Sequence, residues 1–79
     1  MKTTNAVKKL EKLGFSNRGD QRSFSFSKDG SNYRIEFFDQ TGSVICLGIR
    51  RENDHSDSMT DYCATIFADS LSQAIRLCR

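Results

Sequence analysis

The chain has 79 residues, 37% of them hydrophobic and 28% charged, with no proline or tryptophan and a formal net charge of +2. That length supports one core, spanning residues 1–79, and leaves no room for a second. No apolar run approaches the ~20 residues of a membrane-spanning helix, and the opening MKTTNAVKKLEKLGF has neither the apolar centre nor the cleavage site of a secretory signal, so a cytoplasmic protein is expected.

The three cysteines, Cys46, Cys63 and Cys78, are odd in number and form no C-x-x-C. They read as reduced, buried thiols rather than a disulfide framework. A chain this short buries little surface alone, which favours a partner protein or a homodimer. Charge is unevenly spread: residues 1–34 carry eight basic and three acidic groups, residues 35–79 four and seven. A basic end and an acidic end suit charged partners of either sign.

The first expected element is a helix from Thr3 to Leu13, capped by Thr3 or Thr4. Ala6, Val7, Leu10 and Leu13 form its apolar stripe, with Lys8, Lys9, Glu11 and Lys12 mostly on the wet side. Gly14 suits the left-handed position after the helix, and Phe15 is expected to fold back on the helix end. Ser16 to Gln21 reads as a polar connection.

A strand follows at Arg22 to Lys28, with Phe24 and Phe26 on one face and Ser23, Ser25 and Ser27 on the other. Asp29-Gly30 predicts a two-residue hairpin that pairs Phe26 with Tyr33 and Phe24 with Ile35. In NYRIEFFDQTGSVICLGIR, Tyr33, Ile35 and Phe37 alternate with polar residues, and Ile45, Leu47 and Ile49 alternate after the turn. A type I turn over Asp39 to Thr41, with a glycine bulge at Gly42, places Phe37 against Ile45, Ile35 against Leu47 and Tyr33 against Ile49.

Glu52 to Asp61 is acidic and aperiodic, and reads as a long loop. Tyr62 to Phe67 is expected as a fourth strand of unfixed register, and Ser70 with Gln73 forms a capping box for a last helix. Leu71, Ala74, Ile75 and Cys78 make its apolar stripe. The sum is an α+β fold of order α-β-β-β-β-α: a four-stranded antiparallel meander with both helices on one face. The other face is then expected to carry Ser23, Ser25, Ser27, Arg34, Glu36, Phe38, Val44 and Cys46.

Candidate sites follow from that arrangement. Asp54, His55, Asp57 and Asp61 are ligand types for a divalent metal, but their spacing matches no calcium or zinc motif. No nucleophile or orienting partner accompanies His55, so no catalytic group, metal or cofactor is expected. The loop acids instead suit a basic protein patch. Phe38, Val44 and Cys46, flanked by Arg34, Glu36 and Arg50, suit an interaction surface on the helix-free face. Lys8, Lys9, Lys12, Arg18 and Arg22 supply the charge for phosphate contacts, although no helix-turn-helix, zinc finger or RRM motif accompanies them.

Residues 6–30, AVKKLEKLGFSNRGDQRSFSFSKDG, resemble the opening of the HicA family of small RNA-cleaving toxins, with a lysine-rich helix ending in Leu-Gly-Phe, a basic glycine-containing loop, then a strand and a turn. The resemblance implies a dsRBD-like fold. Where that family carries Gly-Ser-His this chain has Gly19-Asp20-Gln21, so the catalytic histidine has no counterpart. In general form the chain is similar to phage and plasmid inhibitors such as anti-CRISPR proteins. A non-enzymatic protein-interaction module, of the kind that a mobile-element inhibitor would be, is therefore the first expectation. A dsRBD-like nucleic-acid-binding domain is the second.

Overall fold

The alternation of apolar residues along the chain becomes two helices and five strands in the computed structural model, which describes residues 1–51 and 66–78. Helix α1 spans Thr3–Lys12. It has no side-chain cap: Lys2 occupies the cap position, and the Thr3 hydroxyl bonds the Asp39 carboxylate instead. The helix start is thus tied to the sheet rather than to its own first turn. At the other end Gly14 has φ +94°. Phe15 N–H bonds Leu10 O at 3.0 Å and Gly14 N–H bonds Glu11 O at 3.0 Å. Those two bonds make a Schellman ending, which turns buried Phe15 back onto Leu10 as expected.

The strands are β1 (Ser16–Asn17), β2 (Ser23–Ser27), β3 (Tyr33–Gln40), β4 (Ser43–Arg51) and β5 (Ile66–Phe67). They form an antiparallel meander in the order β1-β2-β3-β4-β5. The short β1 is an addition to the expected four strands. Of the expected strand Tyr62 to Phe67, only Ile66–Phe67 falls among the described residues, and the 52–61 stretch lies outside them.

Registers differ from the sequence reading in an orderly way. Phe26 pairs Ile35 and Phe24 pairs Phe37, two residues from the expected partners, so every side chain keeps its face. The Lys28–Ser31 turn is closed by Ser31 N–H to Lys28 O at 3.1 Å, but the register brings Lys28 level with Tyr33, so Asp29 to Asn32 form the connection, two residues longer than expected.

Between β3 and β4 the turn is Thr41-Gly42, with φ +50° and +84°. Two consecutive positive φ values make a two-residue hairpin whose twist matches its strands. Phe38 therefore faces Ile45, and Asp39 faces Val44. This is a correction by one residue. It puts Ile45 on the helix-free face and turns Val44 toward the core. A bulge then follows. Between the Phe38–Ile45 and Glu36–Gly48 pairs β4 has one residue more than β3, and Cys46 takes φ +53° there. Beyond it Ile35 pairs Ile49, and Leu47 and Ile49 return to the expected face.

Helix α2 (Leu71–Leu77) is capped by Ser70, whose Oγ accepts from Gln73 N–H at 3.1 Å. The return bond of the expected capping box is displaced by one residue: Gln73 Oε1 accepts from Asp69 N–H at 2.6 Å. Both helices lie on the same face of the sheet. Ala6 and Leu10 of α1, Leu71 and Ala74 of α2, and Cys78 just beyond it join Phe15, Phe26, Ile35, Phe37 and Ile49 in one buried cluster. Phe24, Phe26 and Phe37 stack with ring centroids 5.0–6.2 Å apart. Full burial of such side chains stabilises by ~2–3 kcal/mol each before entropy is counted.

The outer edge of β4 is covered from two directions. Val44 N–H donates to Met1 O at 2.9 Å and Ala68 N–H to Leu47 O at 2.8 Å. The bulge at Cys46 lies between these two attachments. No helix among the described residues is long and apolar enough to cross a membrane.

The helix-free sheet face as candidate functional site

Alternation fixes what this face carries. Ser25 and Ser27 of β2, Arg34, Glu36 and Phe38 of β3, and Ile45, Gly48 and Arg50 of β4 all point away from the helices. Phe67 of β5, which pairs Gly48, points the same way. Three rows cross the strands. One runs Ser23–Phe38–Ile45, the next Ser25–Glu36–Gly48–Phe67, and the third contains Arg34 and Arg50.

Glu36 sits at the centre of the charges. Its Oε1 accepts from Arg50 Nε at 2.8 Å, and its Oε2 accepts from Ser25 Oγ at 3.2 Å. Arg34 Nε stands 3.7 Å from the same Oε2, close enough for Coulomb attraction and too far for a hydrogen bond. One carboxylate thus serves two guanidiniums and favours Arg50, which is only 6% exposed and has further interactions. Arg34 Nε is buried and has no hydrogen-bond partner among the described residues.

Arg18 joins the face from the β1–β2 connection, donating from Nε to Ser27 Oγ at 2.8 Å. Ser27 follows the Phe26–Ile35 pair by one position, which sets it beside Arg34. The connection is built to hold Arg18 there. Asn17 Oδ1 accepts from Gly19 N–H (2.9 Å) and Ser25 N–H (3.2 Å), and Asp20 Oδ1 from Arg22 N–H (2.9 Å) and Ser23 N–H (2.7 Å). Those backbone donors, Ser23 first and then Arg22, lower the Asp20 pKa below its ordinary value. Gly19 has no room for a side chain: a Cβ would stand 2.0 Å from Ser23 O.

The structure divides the residues read from the sequence. Arg34, Glu36, Phe38 and Arg50 do share the helix-free face, though Glu36 and Arg50 are largely committed to one another. Asp54, Asp57 and Asp61, and with them His55, lie outside the described residues. Lys8, Lys9 and Lys12 are exposed on α1, in the opposite layer from Arg18, and Lys9 Nζ approaches Ser72 Oγ of α2 at 3.4 Å. Arg22 is exposed in the β1–β2 connection. The five cations therefore do not form one surface.

Sequence reading missed the exposed pair on β5, Ile66 (51% exposed) and Phe67 (61%). An apolar strand gives no sign of being an edge until its partners are known. It also missed a cleft of about 270 Å³ between the helix ends and the Lys28–Ser31 turn, lined by Leu13, Phe15, Lys28, Ile75 and Cys78 among others. There Lys28 Nζ lies 5.6 Å from the Phe15 ring centre. Burial pushes the Cys78 thiol up to about 11. Among the described residues no three His, Cys, Asp or Glu side chains gather as metal ligands would.

Comparison with protein-family models, curated proteins and solved structures finds no match.

Proposed function

We propose that this protein is a non-enzymatic interaction module that binds a partner protein through β5 and the adjoining part of the helix-free face. The observation that carries the reading is the exposure of Ile66 and Phe67, 51% and 61%, on the last strand of the sheet. Large apolar side chains on an edge strand are an association surface, because an added strand gains both main-chain hydrogen bonds and apolar burial. Phe38 and Ile45, paired and half-buried on the same face, extend the apolar area inward. The partner is expected to lay an extended segment along β5, with its apolar side chains over Phe67. An inhibitor carried by a phage or plasmid is one case of such a module, and the identity of the partner decides it.

The test is capture from a bacterial lysate by the intact protein and by Phe67→Ser, with and without nuclease, followed by light scattering of the protein alone. A protein captured by the parent but not by the variant, in nuclease-treated lysate, supports the reading. Equal capture by both, or capture that disappears with nuclease, overturns it. A dimer that Phe67→Ser dissociates would make the partner a second copy of this chain.

A further inference from the structure

On the same face but away from β5, we infer that Arg18 and Arg34 form a phosphate-binding site for the backbone of a single-stranded nucleic acid. This site does not rest on the protein-binding reading, since Arg18 follows β1 and Arg34 lies on β3, and neither strand pairs with β5.

Three observations support it. The first is charge. Arg18 has no acidic partner among the described residues, and Arg34 has only the distant oxygen of a carboxylate already bonded to Arg50. Among the described residues neither guanidinium has a carboxylate to itself. Ser27, which holds Arg18, lies beside Arg34 across the β2–β3 ladder, where neighbouring strands are ~4.8 Å apart, and two guanidiniums suit an anion with several oxygens better than a single carboxylate oxygen.

The second is preorganisation. Arg18 is not at the tip of a loose loop. Its own N–H bonds Ser25 O at 2.7 Å, the Asn17 and Asp20 side chains fix the residues on either side, and its Nε is used by Ser27. With Nε engaged, the terminal nitrogens are aimed and remain for a ligand. Arg34 is placed by burial rather than by hydrogen bonds: its Nε is shut from water with no hydrogen-bond partner among the described residues, while the side chain as a whole is 24% exposed. For Arg18 the entropy of ordering a long side chain has already been met by folding.

The third is shape. The surface around the pair is a sheet lined on β2 by the small side chains Ser23, Ser25 and Ser27. Reading a duplex groove takes a projecting helix or ribbon. A flat face with arginines follows one extended strand, whose phosphates need only positive charge in the right places. The α1 lysines take no part, because they are in the other layer.

The experiment is fluorescence anisotropy of a labelled single-stranded oligonucleotide of about a dozen residues, titrated with the parent, Arg18→Gln, Arg34→Gln and the control Lys8→Gln/Lys12→Gln, each checked for folding by circular dichroism. Binding is expected to weaken steeply with salt, and each arginine removed should lower the slope of log K against log salt by ~0.7. Arg18→Gln combined with Arg34→Gln, titrated alongside the single variants, should lose at least about tenfold in affinity at low salt, with the lysine control within about twofold. Absence of binding by the folded parent overturns the inference. So does binding that the arginine variants keep and the lysine variants lose.

Discussion

Glu36 offers the sharpest test of how the helix-free face is held together. Glu36→Gln keeps the shape of the side chain and removes its charge, leaving Arg50 Nε, 2.8 Å away, without its carboxylate. Both side chains are largely out of water, 19% and 7% exposed, so solvent screens the pair poorly. Breaking a buried pair from one side costs ~3–5 kcal/mol. Arg50 keeps other interactions and Glu36 is not fully buried, so the expected loss is smaller, about 2 kcal/mol. In a domain of this size that lowers the melting temperature by ~8–16 °C. Replacing both partners, as in Glu36→Met with Arg50→Met, removes the charge along with its need for a partner. It should cost less than either single change. Urea unfolding at constant m-value measures all three variants. If Glu36→Gln lost under ~0.5 kcal/mol, or if the double change cost the sum of the singles, the pair would be an ordinary surface contact.

Other consequences are testable in the same way. Gly19→Ala must push Ser23 O away, and should destabilise by ~1–3 kcal/mol and loosen Arg18; unchanged stability would refute the tight connection. Thr41 and Cys46 hold left-handed conformations that suit Asn or Gly, so Thr41→Asn and Cys46→Gly should each raise stability, by up to ~1 kcal/mol, in thermal melts. Buried Cys78 should react with a thiol reagent only as fast as the protein unfolds, while exposed Cys46 reacts at once; mass mapping of labelled sites distinguishes them. The raised Cys78 pKa means that its contribution is complete below pH 9 and is lost as pH rises through about 11, which Cys78→Ala should remove from the alkaline limb. Asp20 runs the other way: its lowered pKa gives stability above pH 3.8 that disappears as pH falls through the folded value, and Asp20→Ala should flatten that acid limb.

The faces of the sheet were more legible than its registers, and the reason is physical. Alternation with a period of two assigns a face to each residue, and a slip of two leaves that assignment intact. So Phe26 and Ile35 were placed on the right face with the wrong partners. Ile45 and Val44 were misassigned because a slip of one reverses faces, and that slip came from Thr41, a residue seldom found at positive φ. The bulge at Cys46 was hidden for the same reason: nothing in a cysteine announces a left-handed conformation. The helix ends show a similar contrast. Gly14 could be read because glycine has few other reasons to follow a leucine at the end of an apolar stripe. Thr3 could not, because its hydroxyl chose Asp39, 36 residues away, over its own helix.

Long-range partners also decided what could be said of the site. The composition of residues 1–34 showed an excess of positive charge but not its division between two layers. Only the pairing of Ser27 next to Arg34 brings Arg18 to the sheet, and only the sheet order puts Phe67 at the far edge. That order sets the apolar end at Phe67 and the cationic end at Arg18 on opposite sides of β2, β3 and β4, while Arg34 adjoins the Glu36–Arg50 pair. The two ends share no described side-chain contact, so their contributions should add. Phe67→Ser should leave oligonucleotide binding unchanged, and Arg18→Gln should leave protein capture unchanged. If either substitution impaired both, the face would be one continuous surface with a single partner, and the assignment of different chemistry to its two ends would fail.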